Sequence, residues 1–65
     1  MFVQRVKQAM NEQGISQSEL VKITGISRSG ISQYLSGKNI PRKKALTAIA
    51  NALNVSSEWL VESDN

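Results

Sequence analysis

Three glycines divide this chain into short segments and limit what it can fold into. Gly14, Gly25 and Gly37 each follow a segment with the apolar periodicity of a helix. Glycine is the usual residue just beyond a helix C-terminus, because it adopts left-handed backbone angles at little cost. The spacing therefore predicts an all-α chain built from short helices.

Apolar periodicity predicts five of these helices. Their expected ranges are 2–13, 17–24, 28–35, 42–53 and a short last helix that begins after Ser56. Apolar residues at helical spacing form the candidate core, and they are Phe2, Val6, Ala9, Met10, Leu20, Val21, Ile31, Tyr34, Leu35, Ala45, Leu46, Ile49, Ala50, Leu53, Trp59 and Leu60. Residues 61–65 are expected to form a frayed tail.

Polar residues mark where the helices begin. Ser16 and Glu19 have the spacing of a capping box, in which each side chain bonds the backbone of the other residue. Ser27 is the expected cap of the third helix, and Pro41 precedes the fourth. These signals agree with the helix limits drawn from periodicity.

Composition excludes several classes of protein. The 65 residues suffice for one domain, and they include no cysteine and no histidine. Disulfides, thiolate or imidazole metal sites and histidine-based catalysis are therefore excluded, and we expect no enzyme, no metal and no cofactor. The chain also has no apolar run long enough for a membrane span and no signal-peptide pattern. We expect a soluble, cytoplasmic protein.

The charges are unevenly distributed along the chain. Between Leu20 and Ser57 there is no acid, whereas six basic residues fall there: Lys22, Arg28, Lys38, Arg42, Lys43 and Lys44. The acids lie outside this stretch, at Glu12, Glu19, Glu58, Glu62 and Asp64. Such a segregation is typical of a protein that binds a polyanion, and an ordinary solvated surface is the alternative.

The second and third predicted helices are joined by only Gly25, Ile26 and Ser27. Two capped helices with so short a connection must cross at a steep angle. The third helix would then turn its apolar side to the core and expose Arg28, Ser29, Ser32 and Gln33. These side chains donate and accept hydrogen bonds of the kinds that recognise base edges in the DNA major groove.

From Val6 to Leu60 the chain resembles the XRE-type helix-turn-helix family, which includes lambdoid phage repressors and Cro proteins. The residues that carry the resemblance are Gln17, Leu20, Gly25, Ile31, Gly37, Pro41, Ile49, Ala50, Leu53, Trp59 and Leu60. The resemblance implies a five-helix lambda-repressor-like DNA-binding domain with a central helix-turn-helix.

The resemblance also implies roles for individual residues. The implied base-reading residues are Arg28, Ser29, Ser32 and Gln33. The implied contacts to the DNA backbone are Gln17, Ser27, Lys38, Asn39, Arg42 and Lys43. The implied partner is double-stranded DNA with a palindromic operator, bound by a homodimer without any small-molecule ligand or membrane.

This chain departs from the family pattern at several positions. Met10 and Leu35 occupy positions where the family often has a buried ion pair, so we expect an apolar contact there. Val21 is larger than the usual alanine, and we expect Gly30 to compensate for its volume. Ile23 is expected to be exposed. Ser57 stands where phage repressors often place an apolar dimer contact, which would make self-association weak.

The sequence therefore predicts a sequence-specific DNA-binding transcriptional regulator of the Cro or repressor type. Its expected location is the nucleoid of a bacterial cell or of a phage-infected host cell. An antitoxin, a restriction controller or a protein-interaction module with the same fold is the alternative. A pure interaction module would not need the polar face of the third helix.

Overall fold

A computed structural model describes residues 2–61 of the protein. In that part the chain forms five α-helices. In chain order they are α1 (Phe2–Gln13), α2 (Gln17–Thr24), α3 (Arg28–Ser36), α4 (Lys43–Ala52) and α5 (Ser57–Val61). The predicted five-helix all-α fold is confirmed. None of these helices has the length and apolar character needed to cross a lipid bilayer.

The helix limits differ from the predicted ones by a residue at a few ends. The third helix continues to Ser36, and the fourth begins at Lys43 because Arg42 has the extended backbone of an N-cap (φ −73°, ψ 168°). Leu53 is the C-cap of α4 rather than its last residue. Val61 belongs to α5 instead of the predicted tail, and residues 62–65 of that tail lie outside the described residues.

The buried core contains only apolar side chains within residues 2–61. Its members are Val6, Ala9, Leu20, Ile31, Ile49, Ala50, Leu53 and Leu60. The other predicted core residues are half-buried rather than buried, and they are Phe2, Met10, Val21, Tyr34, Leu35, Ala45, Leu46 and Trp59. All of these except Ala45 pack against the buried core. Helix α2 packs on α3 and α4, while α1 packs on α3 and α5. Helix α4 also packs on α5.

Two expectations about individual positions have different outcomes. Met10 and Leu35 are both half-buried against the core, and their direct contact stays a prediction. The proposed compensation between Gly30 and Val21 is wrong. A Cβ atom on Gly30 would meet Ile26 Cγ2 at 3.0 Å and Ser27 Oγ at 3.2 Å, so the absence of a side chain makes room for the turn before α3.

Helix α1 is fastened to the C-terminal part of the fold by contacts that the sequence did not reveal. The Arg5 guanidinium donates to the Trp59 carbonyl at 2.6 Å and lies 5.1 Å from the centre of the Trp59 ring. The Gln13 amide donates to the carbonyl of Leu53. Both contacts join residues far apart in sequence and close the bundle around the core.

Leu20 and Ile23 on α2 provide a matched test of this core. Leu20 is fully buried, whereas Ile23 is 57% exposed, as predicted. We expect Leu20→Ala to lower the free energy of unfolding by about 2–5 kcal/mol, because it leaves a cavity. Ile23→Ala should change it by less than about 0.5 kcal/mol. Urea denaturation followed by circular dichroism measures both, and equal losses would contradict the packing of α2.

Candidate nucleic-acid interface

The start of α2 is fixed by the predicted capping box. The Ser16 hydroxyl accepts from the Glu19 backbone N–H at 3.2 Å, and a Glu19 carboxylate oxygen accepts from the Ser16 N–H at 3.1 Å. Gln17 is the first residue of the helix and is half-buried. Its backbone position is therefore set by bonds on either side of it.

The connection between α2 and α3 is bonded at each step. Gly25 has left-handed backbone angles (φ 74°) and donates its N–H to the carbonyl of Val21 at 3.0 Å. The Thr24 hydroxyl donates to the Leu20 carbonyl at 2.7 Å and accepts from the Ile26 N–H at 3.2 Å. Sequence reasoning missed this role of Thr24, which fixes the path of the turn.

Helix α3 begins at the predicted cap, because the Ser27 hydroxyl accepts from the Gly30 N–H at 3.1 Å. Ile31 is the fully buried residue of this helix. Its opposite side is solvent-exposed and carries the four predicted base-reading residues: Arg28, Ser29, Ser32 and Gln33. The fold thus brings these four together on one face of a short helix.

Arg28 and Gln33 each make a hydrogen bond outside α3. The Arg28 guanidinium donates to the Ser18 hydroxyl on α2 at 3.3 Å. The Gln33 side-chain oxygen accepts from the Asn39 amide at 2.5 Å. Both longer polar side chains of the exposed face therefore have a partner in the chain itself, and neither partner was foreseen from the sequence.

The loop after α3 and the start of α4 carry the predicted backbone-binding cations. Lys38, Arg42 and Lys43 are exposed, and within residues 2–61 the structure records no ion pair for their side chains. Helix α4 has no side-chain cap, in contrast to the serine caps of α2, α3 and α5. The first backbone N–H groups of α4 therefore lie beside exposed cations, a combination that suits an anion.

In the described part of the chain, acidic side chains do not cluster as a metal site would require. No group of three or more Asp, Glu, His or Cys side chains within residues 2–61 could hold a metal ion. The exposed face of α3 and the basic loop beside it form the candidate functional surface because they carry the predicted polar and basic residues.

Comparison with protein families identifies the fold. A family model described as helix-turn-helix matches residues 6–60. The chain belongs to this helix-turn-helix family. The predicted resemblance to XRE-type proteins is confirmed, and the match runs from Val6 in α1 to Leu60 in α5.

Relatives of this helix-turn-helix chain include regulators of mobile elements. It is 37% identical over 62 residues to the SPbeta prophage-derived HTH-type transcriptional regulator YonR of Bacillus subtilis, covering 95% of this chain and 57% of that protein. It is 39% identical over 61 residues to the HTH-type regulator for conjugative element R391 of Providencia rettgeri, covering 94% of this chain and 28% of the regulator. The chain thus spans 57% of the length of the first relative and 28% of the length of the second.

A solved structure is similar over nearly the whole helix-turn-helix chain. The P22 c2 repressor, crystallised in complex with the synthetic operator 9T, superposes with a TM-score of 0.88 at 28% sequence identity. The alignment covers 98% of this chain and 97% of the repressor chain. The bundle and its helix order are therefore those of a phage repressor domain.

Gly25 provides a test of how the turn positions α3. No atom lies within 4 Å of a Cβ built on Gly25, so only its left-handed backbone resists a side chain. We expect Gly25→Ala to destabilise the fold by about 1–2 kcal/mol, and Gly25→Asn by less, because asparagine tolerates this conformation better. Thermal unfolding measures both. Equal losses for the two variants would contradict the assignment of the cost to the left-handed backbone.

Proposed function

We propose that this chain is a sequence-specific, double-stranded DNA-binding regulator of transcription of the Cro or repressor type. The observation that carries the proposal is the exposed polar face of α3, held on a fully bonded turn beside an acid-free basic loop. The similarity to a repressor crystallised with its operator supports the same assignment. In this proposal α3 enters the major groove.

The exposed face of α3 supplies the proposed base contacts. The planar guanidinium of Arg28 suits the N7 and O6 acceptors of guanine, and the amide of Gln33 suits N7 and N6 of adenine. Ser29 and Ser32 are short, so each could contact a base only at close approach. Arg28 would exchange its 3.3 Å bond to Ser18 for a bond to DNA.

The residues around α3 supply the proposed contacts to phosphates. Lys38, Arg42 and Lys43 are exposed cations, and the uncapped N–H groups of α4 add partial positive charge at the same place. Gln17 lies at the N-terminus of α2, where anions are favoured. Ser27 accepts a bond within the chain and keeps its hydroxyl hydrogen for a phosphate. Asn39, the remaining backbone candidate, has its amide turned to Gln33.

We further propose that two copies of the chain bind a palindromic operator. One recognition helix reads only a few base pairs. Helix-turn-helix dimers therefore bind two half-sites that lie about one turn of the DNA helix apart. Half-buried Ser57 on α5 would give only a weak contact between free copies of the chain. The two copies would therefore associate mainly when both are bound to DNA. Occupying the operator would exclude RNA polymerase. The proposed location is the nucleoid of a bacterial or phage-infected cell.

Substitution of the exposed cations tests the phosphate contacts. We expect Lys38→Ala, Arg42→Ala and Lys43→Ala each to weaken binding to all DNA sequences alike, because phosphates carry no base identity. The slope of log K against log salt should flatten by about one unit for each phosphate that is no longer neutralised, hence by about two for a bound dimer.

Exposed Lys7 on α1 lies outside the proposed surface and supplies the matched control. Lys7→Ala should leave the salt dependence unchanged in the same fluorescence-anisotropy titrations. A substitution at Lys38, Arg42 or Lys43 that changed the preferred base would show that the residue reads sequence.

Selection of bound sites from random duplex DNA tests the function as a whole. We expect a two-fold symmetric consensus from the wild-type chain. Gln33→Ala should lose preference at one position of each half-site, at a cost of about 1–3 kcal/mol for that base. Gln8→Ala, an exposed glutamine on α1, is the control. A wild-type chain that enriched no sequence would refute specific recognition, and an unchanged consensus after Gln33→Ala would refute the role of α3.

A further inference from the structure

We propose that Asn39 is a positioning residue. It fixes the direction of the Gln33 amide and so determines which base Gln33 prefers. This inference rests on the proposed function, since it assigns to Asn39 an effect on base preference. It differs from the backbone contact that the family resemblance implies for Asn39. The observation that supports this inference is the 2.5 Å hydrogen bond from the Asn39 amide nitrogen to the Gln33 side-chain oxygen.

The backbone of the loop places Asn39 where it can make this bond. Gly37 ends α3 with left-handed angles (φ 82°) and turns the chain back over the last helical turn. The N–H groups of Lys38 and Asn39 then donate to the backbone carbonyl of Gln33 at 3.1 and 3.5 Å. Gln33 is thus held by the same loop at its carbonyl and at its side chain.

The bond also defines which group of Gln33 can face a base. Its side-chain oxygen is directed at the Asn39 donor, which leaves both N–H groups of the Gln33 amide for an acceptor such as purine N7. The oxygen keeps a second lone pair, so the paired contact to adenine N7 and N6 is still possible. A rotation of the amide by half a turn would set donor against donor at Asn39 and is disfavoured.

The contact also reduces the cost of ordering Gln33 on DNA. An exposed glutamine side chain samples several rotamers and loses that freedom when it binds. Because Asn39 already holds Gln33 in the free chain, part of this loss occurs on folding. The result is a stronger preference for one base without any additional atom in contact with DNA.

A double-substitution cycle separates this role from a phosphate contact. We expect Asn39→Ala to weaken binding to the preferred base by about 2- to 10-fold, the range for removal of one hydrogen bond, and to leave binding to the other three bases unchanged. In a Gln33→Ala background the same change should have no further effect. Asn51→Ala, an exposed asparagine on α4, is the control. Uniform losses that add to those of Gln33→Ala would overturn the inference.

Asn39→Asp tests the direction of the amide itself. An aspartate at this position accepts but does not donate, so it would bond the Gln33 nitrogen and turn the Gln33 oxygen outward. We expect preference to shift from a purine N7 acceptor toward the N4 donor of cytosine, on top of a uniform loss caused by the added negative charge. A consensus with the wild-type base at that position would overturn the inference.

A measurement without DNA separates failure of this inference from failure of the function. Nitrogen-15 relaxation of the Gln33 side-chain amide reports its mobility in the free chain, and Asn39→Ala should raise that mobility, whereas Asn51→Ala should not. A chain that selects DNA but shows no such change would overturn the positioning role alone. A chain that selects no DNA would overturn the function, whatever the amide does.

Discussion

The three-residue connection between α2 and α3 is the constraint on which the rest of this structure depends. Gly25 bonds back to Val21, Ile26 bonds to the Thr24 hydroxyl, and Ser27 caps the next helix. With every step bonded, α3 cannot rotate about its own axis without breaking a cap or moving buried Ile31. The backbone of α3 is therefore fixed on the bundle by its cap and its buried residue, and recognition of base edges at hydrogen-bond distance requires such a fixed backbone.

Stability and recognition are assigned to separate sets of residues. Every buried residue between positions 2 and 61 is apolar, and the candidate DNA-contacting residues are exposed except for half-buried Gln17. A chain of 65 residues without a disulfide has little stability to spare, so a buried polar network would be costly. Because these polar groups lie outside, substitutions at Arg28 or Gln33 remove no buried contact of the core.

The sequence predicted most of the fold because its signals are local. Caps at Ser16 and Ser27 and stops at Gly25 and Gly37 each act within a helical turn, and the structure has them as predicted. Contacts between side chains could not be predicted in the same way. The bond from Asn39 to Gln33 depends on how the loop after Gly37 turns back, and a residue pattern does not specify that path. The exposure of the four base-reading candidates was predicted because helical periodicity separates exposed from buried positions, whereas their role was implied by the family resemblance.

The two longer side chains on the exposed face of α3 differ in the bonds that hold them. Gln33 accepts an exposed bond from Asn39, which lies on a loop whose N–H groups also donate to the Gln33 carbonyl. Arg28 has one exposed 3.3 Å bond to the Ser18 hydroxyl, near the limit for such a bond. In the proposed complex, Arg28 would leave its partner at small cost and reach a base or a phosphate, whereas Gln33 would already be oriented before DNA binds. Five residues separate them, about 7.5 Å along the helix axis, so the proposed function would combine a fixed contact near the end of α3 with an adjustable contact at its start.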